Sequence, residues 1–323
     1  VIEPLEHKPM ISRYRLKARG FLNAVSKRRE FEGVLIQADG GYGCIHPWPE
    51  LGDPPLEKCL EDLAGAQSRQ IVRRALRCAA YDRAARRHGH SLFEDMEVPE
   101  SHATLTLARA DGVERALEAG FSIIKLKVGN HPAAEIGFLD EMSAANPGVK
   151  WRLDFNEAPE PAAAAGFLNA LAGATRAAID FAEDPCAYAD STWTALHRGT
   201  RVPLAVDREA APHAAAAQVM VVKPAVDEPF LLGGAALRHG QRVVVTSYMD
   251  HPLGQAFAAW EAARLGLQFP GLVGICGLQT HHLFETCDFT MMLGPWSPVF
   301  QPPGGHGLGF DDLLDALPWT RHY

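Results

Sequence analysis

Lys127, Asp154, Glu183, Asp207, Lys223 and Ser247 each stand at the end of a short apolar run, with steps of 27, 29, 24, 16 and 24 residues between them. Three of the six are carboxylates, and a lysine stands on either side of them in chain order. Three hard oxygen donors with no histidine or thiolate among them favour Mg²⁺, which keeps open positions for substrate oxygens. A single strand-end acid could equally cap the next helix or pair with a lysine. Three in succession between lysines point to a metal site with a base and an electrostatic partner, and so to an enzyme.

Lys125 and Lys127 are two apart, so on a strand both side chains leave the same face. An unpaired ammonium group in a protein interior is costly, and the three carboxylates supply the anions that two such lysines need. Lys223 closes the run Val219-Met220-Val221-Val222 before Pro224 and would enter the site from across it. A lysine base starts from a pKa of ~10.4, and bringing it down ~3 units to work near neutrality takes about 4 kcal/mol. A divalent cation and neighbouring ammonium groups act in that direction.

The elements that position these residues follow from the spacing. A strand, a loop and a helix together take roughly 25–30 residues, the rhythm of repeating βα units. Strands are expected at 103–107, 122–128, 150–154, 177–182, 203–206, 219–222, 242–246 and 272–276, with helices at 112–119, 133–145 and 161–172. Eight such strands form a (β/α)-barrel, whose strands all point their C-terminal ends at one place. A doubly wound sheet would show a Gly-rich turn after its first strand, and none is present.

Residues 1 to about 100 break the rhythm. They read as strands at 15–18 and 32–38, a turn at Gly40–Gly43, a Pro-rich loop from Pro47 to Pro55, and a helical pattern over 56–87. The arginines of that pattern are expected on a solvated face, opposite Ile71, Ala75, Leu76 and Ala79. The Gly40–Gly43 turn and the Trp48 loop are expected to close over the barrel mouth. The Gly304–Gly309 run lacks the helix and Lys-Ser/Thr of a phosphate loop and reads as a flexible loop. His281-His282 and His88-Gly89-His90 read as surface or core histidines, and Trp48, Trp193, Trp260, Trp296 and Trp319 as packing residues.

Composition narrows the class. The 323 residues are 47% apolar with a net charge of −8, which gives no general attraction to nucleic acid or anionic membrane. No run reaches the ~20 apolar residues of a membrane span. The segment Val1–His7 lacks the basic start and apolar stretch of a secretory leader. The six cysteines are dispersed with no C-x-x-C pair, as expected of buried small hydrophobes. The expectation is a soluble, cytoplasmic protein acting on a small-molecule substrate, with no nucleic-acid or membrane partner; its oligomeric state is left open.

The K-x-K strand, Asp154-Phe155-Asn156, Glu183-Asp184-Pro185, Val206-Asp207 and Val222-Lys223-Pro224, in that order, resemble the enolase superfamily in its muconate-cycloisomerase-like branch. Arg152-Leu153-Asp154, the segment from Ser247 to Leu253-Gly254 and Gly277-Leu278-Gln279-Thr280 make the sequence look most like the o-succinylbenzoate synthase family of menaquinone biosynthesis. The resemblance implies an α+β capping domain of residues 1–100 plus about 290–323, over a modified (β/α)7β barrel of residues 101–289. It implies Mg²⁺ on Asp154, Glu183 and Asp207, with Lys127 as general acid/base. Lys223 would be the cation facing the enolate, and Lys125 would hold the carboxylate side. It further implies substrate contacts from Arg152, Asn156, Ser247 and Gly277. The reaction implied is dehydration of 2-succinyl-6-hydroxy-2,4-cyclohexadiene-1-carboxylate to o-succinylbenzoate by syn elimination of water.

Rival readings stay open. An N-acylamino acid racemase could use the same two lysines on opposite faces of an α-carbon, and other cycloisomerase-like chemistry would suit the same site. A dipeptide epimerase of this kind would carry Asp-x-Asp where Gly274-Ile275-Cys276-Gly277-Leu278 stands. A barrel kept only as a binding protein would have no need of all five catalytic residue types.

Overall fold

The computed structural model describes residues 7–22, 28–64, 69–157, 159–207 and 213–321. Residues 1–6, most of the segment read for a leader, lie outside that set.

Strands β1 (Met10–Lys17), β2 (Glu30–Ala38) and β3 (Gly41–Ile45) form an antiparallel meander, with Met10 opposite Gln37 and Ala38 opposite Gly41. Two helices, α1 (Leu56–Ala64) and α2 (Gln70–His88), follow where one long pattern was expected. Helix α2 lies against β3 at glycine distance. A Cβ on Gly41 would stand 2.0 Å from the Ala79 carbonyl oxygen, and one on Gly43 would stand 2.2 Å from that of Ala75. The Gly41–Gly43 stretch is therefore a seat for the helix. The loop around Trp48, by contrast, reaches the barrel: the Trp48 indole donates to the Tyr248 carbonyl at 2.9 Å, and the Tyr248 hydroxyl donates to Asp53 at 3.0 Å.

The arginine face of α2 is only partly solvated. Arg74 and Arg83 are buried, at 1% and 7% exposure, because each meets carboxylates from other elements. Arg83 faces Asp39, while Arg74 faces Glu228 and Glu261.

The barrel strands are β4 (Ala103–Leu105), β5 (Ile123–Lys127), β6 (Lys150–Asp154), β7 (Ile179–Glu183), β8 (Leu204–Val206), β9 (Val219–Val222) and β10 (Arg242–Val245). All pair in parallel and in chain order. Their connections include α3 (Ala110–Glu118), α4 (Pro132–Ala145), α5 (Pro161–Ala170), α6 (Gly173–Ala178), α7 (Asp190–Thr200) and α8 (Pro229–His239), and α9 (Pro252–Gln268) follows β10. The helix expected over 161–172 is α5, and a further short helix, α6, takes the start of the strand expected at 177. The 16-residue step between Asp207 and Lys223 has its reason here: no α-helix stands between β8 and β9 among the described residues.

The eighth strand is not a regular one. Residues 272–277 instead make scattered bonds to both sides. Gly274 and Gly277 donate to the Val243 and Val245 carbonyls at 2.9 and 2.8 Å, while Cys276 exchanges two 2.7 Å bonds with Glu100 and His102. This closes the ring between β10 and β4. Two glycines in the segment (Gly274, Gly277), with Gly271 just before it, weaken its strand preference.

Short helices α10 (Asp288–Met291) and α11 (Asp311–Asp315) lead to β11 (Thr320–Arg321), which pairs with the free edge of β1. The Gly304–Gly309 loop is held rather than flexible: Leu308 donates to Asp82, and the Gly309 carbonyl accepts from Arg86 at 2.8 Å. No helix among the described residues is long and apolar enough to cross a membrane. All six cysteines are free.

Candidate active site

Strand register builds the site. Lys127, Asp154 and Glu183 are paired neighbours across β5, β6 and β7, at the last residue of each strand. Asp207 follows β8 directly and Lys223 follows β9. Lys125, Arg152 and Phe181 form the row two residues deeper. Parallel pairing with alternating side chains leaves these groups no outlet except the barrel interior. Asp154, Glu183 and Asp207 are buried at 2–4% exposure, and Lys125 at 8%.

Lys125 Nζ lies 2.7 Å from each oxygen of Glu183 and 3.0 Å from Asp154 Oδ2. Lys127 Nζ is 3.4 Å from both Asp154 Oδ2 and Asn156 Oδ1. Lys223 Nζ pairs with Asp207. The three carboxylates thus share one neighbourhood, but each turns to an ammonium group. Among the described residues, no group of three His, Cys, Asp or Glu side chains is gathered as a metal cage.

The charges act on one another strongly. Burial works to raise Asp154, but Lys125 and Lys127 outweigh it and hold the carboxyl well below the usual carboxylate range. Glu183 is raised by burial and by Asp154 and Asp207, against the pull of Lys125. The two outer lysines differ. Burial pushes Lys127 down, and Lys125 adds to this while Asp154 opposes it. Lys223 is raised, because Asp207 and Glu183 overcome its burial.

The expected substrate contacts fare unequally. Asn156, with φ of 50°, sits beside Lys127 and donates its backbone N–H to Asp154 at 3.2 Å. The Ser247 hydroxyl shares a 2.8 Å hydrogen bond with Thr280. Arg152 lies a layer below the site, fully buried over the Phe181 ring; it donates to Asp180 and to the Ile275 carbonyl, each at 2.8 Å, and meets His102 at 2.6 Å. Its place is the barrel floor rather than the substrate surface. Gly277 has both backbone groups committed, its N–H to Val245 and its carbonyl to the Ser247 N–H. It is a closure residue with no free group to offer a ligand. Gln279 holds the tail, donating to the Ser297 and Val299 carbonyls.

Sequence reasoning passed over three residues that support the site. Asp184, at φ 43°, accepts from the Asp207 N–H at 3.1 Å and is pushed well up by burial and by the charges of Asp207 and Glu183. Asp227 accepts from the Lys223 N–H at 2.6 Å. His102 lies under the site against Arg152. Asp184 is the middle residue of the Glu-Asp-Pro motif and could have been singled out there. Nothing in the local sequence of Asp227 or His102 marks them.

Two family models match the chain: "O-succinylbenzoate synthase, N-terminal domain" over residues 9–85 and "Enolase C-terminal domain-like" over residues 108–227. With the capped parallel barrel and its ring of strand-end residues, these matches show that the chain belongs to the enolase superfamily. Within it, the whole-length likeness is to the o-succinylbenzoate synthase of Bdellovibrio bacteriovorus, 29% identical, covering 96% of this chain and 97% of that one. Solved structures agree in fold. A dipeptide epimerase from Enterococcus faecalis, complexed with Mg and the dipeptide L-Leu-L-Tyr, matches with a TM-score of 0.78 at 16% identity, covering 94% and 98% of the two chains. An N-succinyl Arg/Lys racemase from Bacillus cereus matches with a TM-score of 0.77 at 16% identity, covering 96% of each chain.

Proposed function

We propose that this chain is a Mg²⁺-dependent o-succinylbenzoate synthase, converting 2-succinyl-6-hydroxy-2,4-cyclohexadiene-1-carboxylate to o-succinylbenzoate and water. The observation that carries the reading is the placing of Lys127 and Lys223 at the ends of β5 and β9, with three buried carboxylates on the intervening strand ends. The whole-length likeness to a synthase supports the choice of reaction.

Asp154, Glu183 and Asp207 fit a hard divalent cation. All three are oxygen donors at the ends of neighbouring strands, and Lys125 Nζ already stands as a cation between Asp154 and Glu183. Bound there, Mg²⁺ would supply neutralisation of the second negative charge that grows as a carboxylate becomes an enediolate. Lys127 takes the proton next to the substrate carboxylate, and the C–H electron pair moves into the enediolate. That pair then expels the hydroxyl from the neighbouring carbon. Lys127 returns its proton to the departing oxygen, so water leaves and the base is restored. Its burial favours the neutral amine that the first step needs. Lys223, kept charged by Asp207, faces the enolate, and Lys125 steadies the carboxylate side. Asn156 and Ser247 border the substrate, and the cap of residues 1–100 with the tail from about 290 covers the barrel of 101–289.

The same pair of lysines could instead exchange a proton across the two faces of an N-acylamino acid. Purified protein with Mg²⁺, offered the cyclohexadiene carboxylate and N-succinyl amino acids in parallel, tests the reading. Turnover of the first alone supports the synthase; turnover of the second alone overturns it.

A further inference from the structure

The two outer lysines are anchored by different parts of the molecule. Lys127 belongs to β5 and leans on Asn156, so the barrel alone holds it. Lys223 begins a tight turn whose far side faces the cap. Its carbonyl accepts from the N–H groups of Val226 and Asp227, and its own N–H donates to the Asp227 carboxylate. Arg74 of α2 reaches this turn across the domain boundary. Its Nε donates to the Pro224 carbonyl at 2.8 Å, Nη1 to Glu228 at 3.0 Å and Nη2 to Glu261 at 2.7 Å. Three donors of one rigid planar group are thus satisfied by the residue after Lys223, by the residue before α8 and by α9. The side chains of Arg74 and Glu261 are each only 1% exposed. Ala225 and Val226 complete the grip by packing against apolar clusters that contain Leu16, Phe31 and Trp48 of the cap.

We propose that Arg74 is a positioning residue for Lys223, so that the cap fixes where one of the two site lysines stands. A guanidinium holds three acceptors in a fixed plane, which a flexible side chain cannot do. A displacement of about 1 Å at a reacting group can cost on the order of 100-fold in rate. The inference rests on the role given to Lys223 above, yet the placing of Lys223 can be read without turnover.

The experiment compares wild type with Arg74→Met, Arg74→Lys and Arg83→Met. Each is labelled with trace acetic anhydride and peptide-mapped, and kcat and KM are measured alongside. Arg83 is a second buried arginine of α2, but its carboxylate partner Asp39 lies inside the cap. Arg74→Met should change the labelling rate of Lys223 about tenfold while Lys125 and Lys127 stay within about twofold. Its kcat should fall roughly 30- to 100-fold with KM within about threefold, and Arg74→Lys should recover part of both effects. Arg83→Met should lower thermal stability and leave both readouts at wild type. If Arg74→Met does not fold, Glu261→Gln loosens the same guanidinium and should shift Lys223 labelling about threefold. Unchanged Lys223 labelling, or a change shared by all three lysines or matched by Arg83→Met, overturns the proposal. A wild type inert toward the diene would sink the synthase reading instead, and the labelling result would still decide the role of Arg74.

Discussion

Lys125 Nζ stands 2.7 Å from both carboxylate oxygens of Glu183, as a cation held where a divalent ion is proposed to sit. Two cations cannot share that position at full strength, so the lysine and the metal are in competition.

Lys125→Met should therefore lower the melting temperature without Mg²⁺ and enlarge the rise in melting temperature on adding it. Asp207→Asn should abolish divalent-dependent turnover while leaving the fold intact by circular dichroism. A thermal-shift titration with Mg²⁺ across wild type and both variants checks this. Full turnover by wild type in excess chelator would remove the metal assignment altogether.

Lys127→Ala should lose at least the ~10²–10⁴ that general acid–base catalysis supplies. Steady-state kinetics on the diene is the measurement. Retention of most of the wild-type rate would move the base to Lys223.

Gly277→Ala should be severely disruptive for its size. The added Cβ would stand 2.6 Å from His102 Cε1 and 3.0 Å from Thr246 Cγ2, at the joint that closes the barrel. Overpacking of this kind costs about 1–3 kcal/mol. Urea unfolding should show that loss, and His102→Ala in the same chain should restore part of it. A Gly277→Ala protein as stable as wild type would mean that the joint yields freely.

His46 links the cap to acid stability. It is buried at 2% exposure, accepts or shares a 2.8 Å hydrogen bond with Tyr14, and is pushed down to about 3 by burial and by Arg28. Unfolding lets the ring regain an ordinary pKa of ~6.5. Between these values the unfolded chain binds a proton that the folded one refuses, so this contribution to stability falls as pH drops below ~6.5. Each pH unit costs about 1.4 kcal/mol per such group. Other buried groups titrate in the same range, so the test is a difference: His46→Gln should lose about that much less per unit than wild type between pH 6 and 4. Parallel urea-unfolding slopes for the two proteins would contradict it.

The positions of Lys127, Asp154, Glu183, Asp207 and Lys223 were readable in the chain because a βα repeat has a length. Where the repeat ends, the chain must present a residue at the barrel mouth, and pairing in chain order makes sequence neighbours spatial neighbours. The eighth strand was readable in position but not in its irregular form, and the places of Arg152 and Arg74 were not readable in this way. The first is held by bonds from both flanking strands, which its own glycine-rich sequence does not announce. Arg152 lies two residues from Asp154 on the same face, and only depth in the barrel separates a floor residue from a site residue. Arg74 reads as part of a solvated stripe until Glu261, 187 positions away, is brought to 2.7 Å. Local spacing sets which side chains leave which face of an element, since that follows from backbone geometry alone. Whether a charged group is solvated, paired or buried depends on what the opposite face of another element brings to it, and only the packed structure decides that.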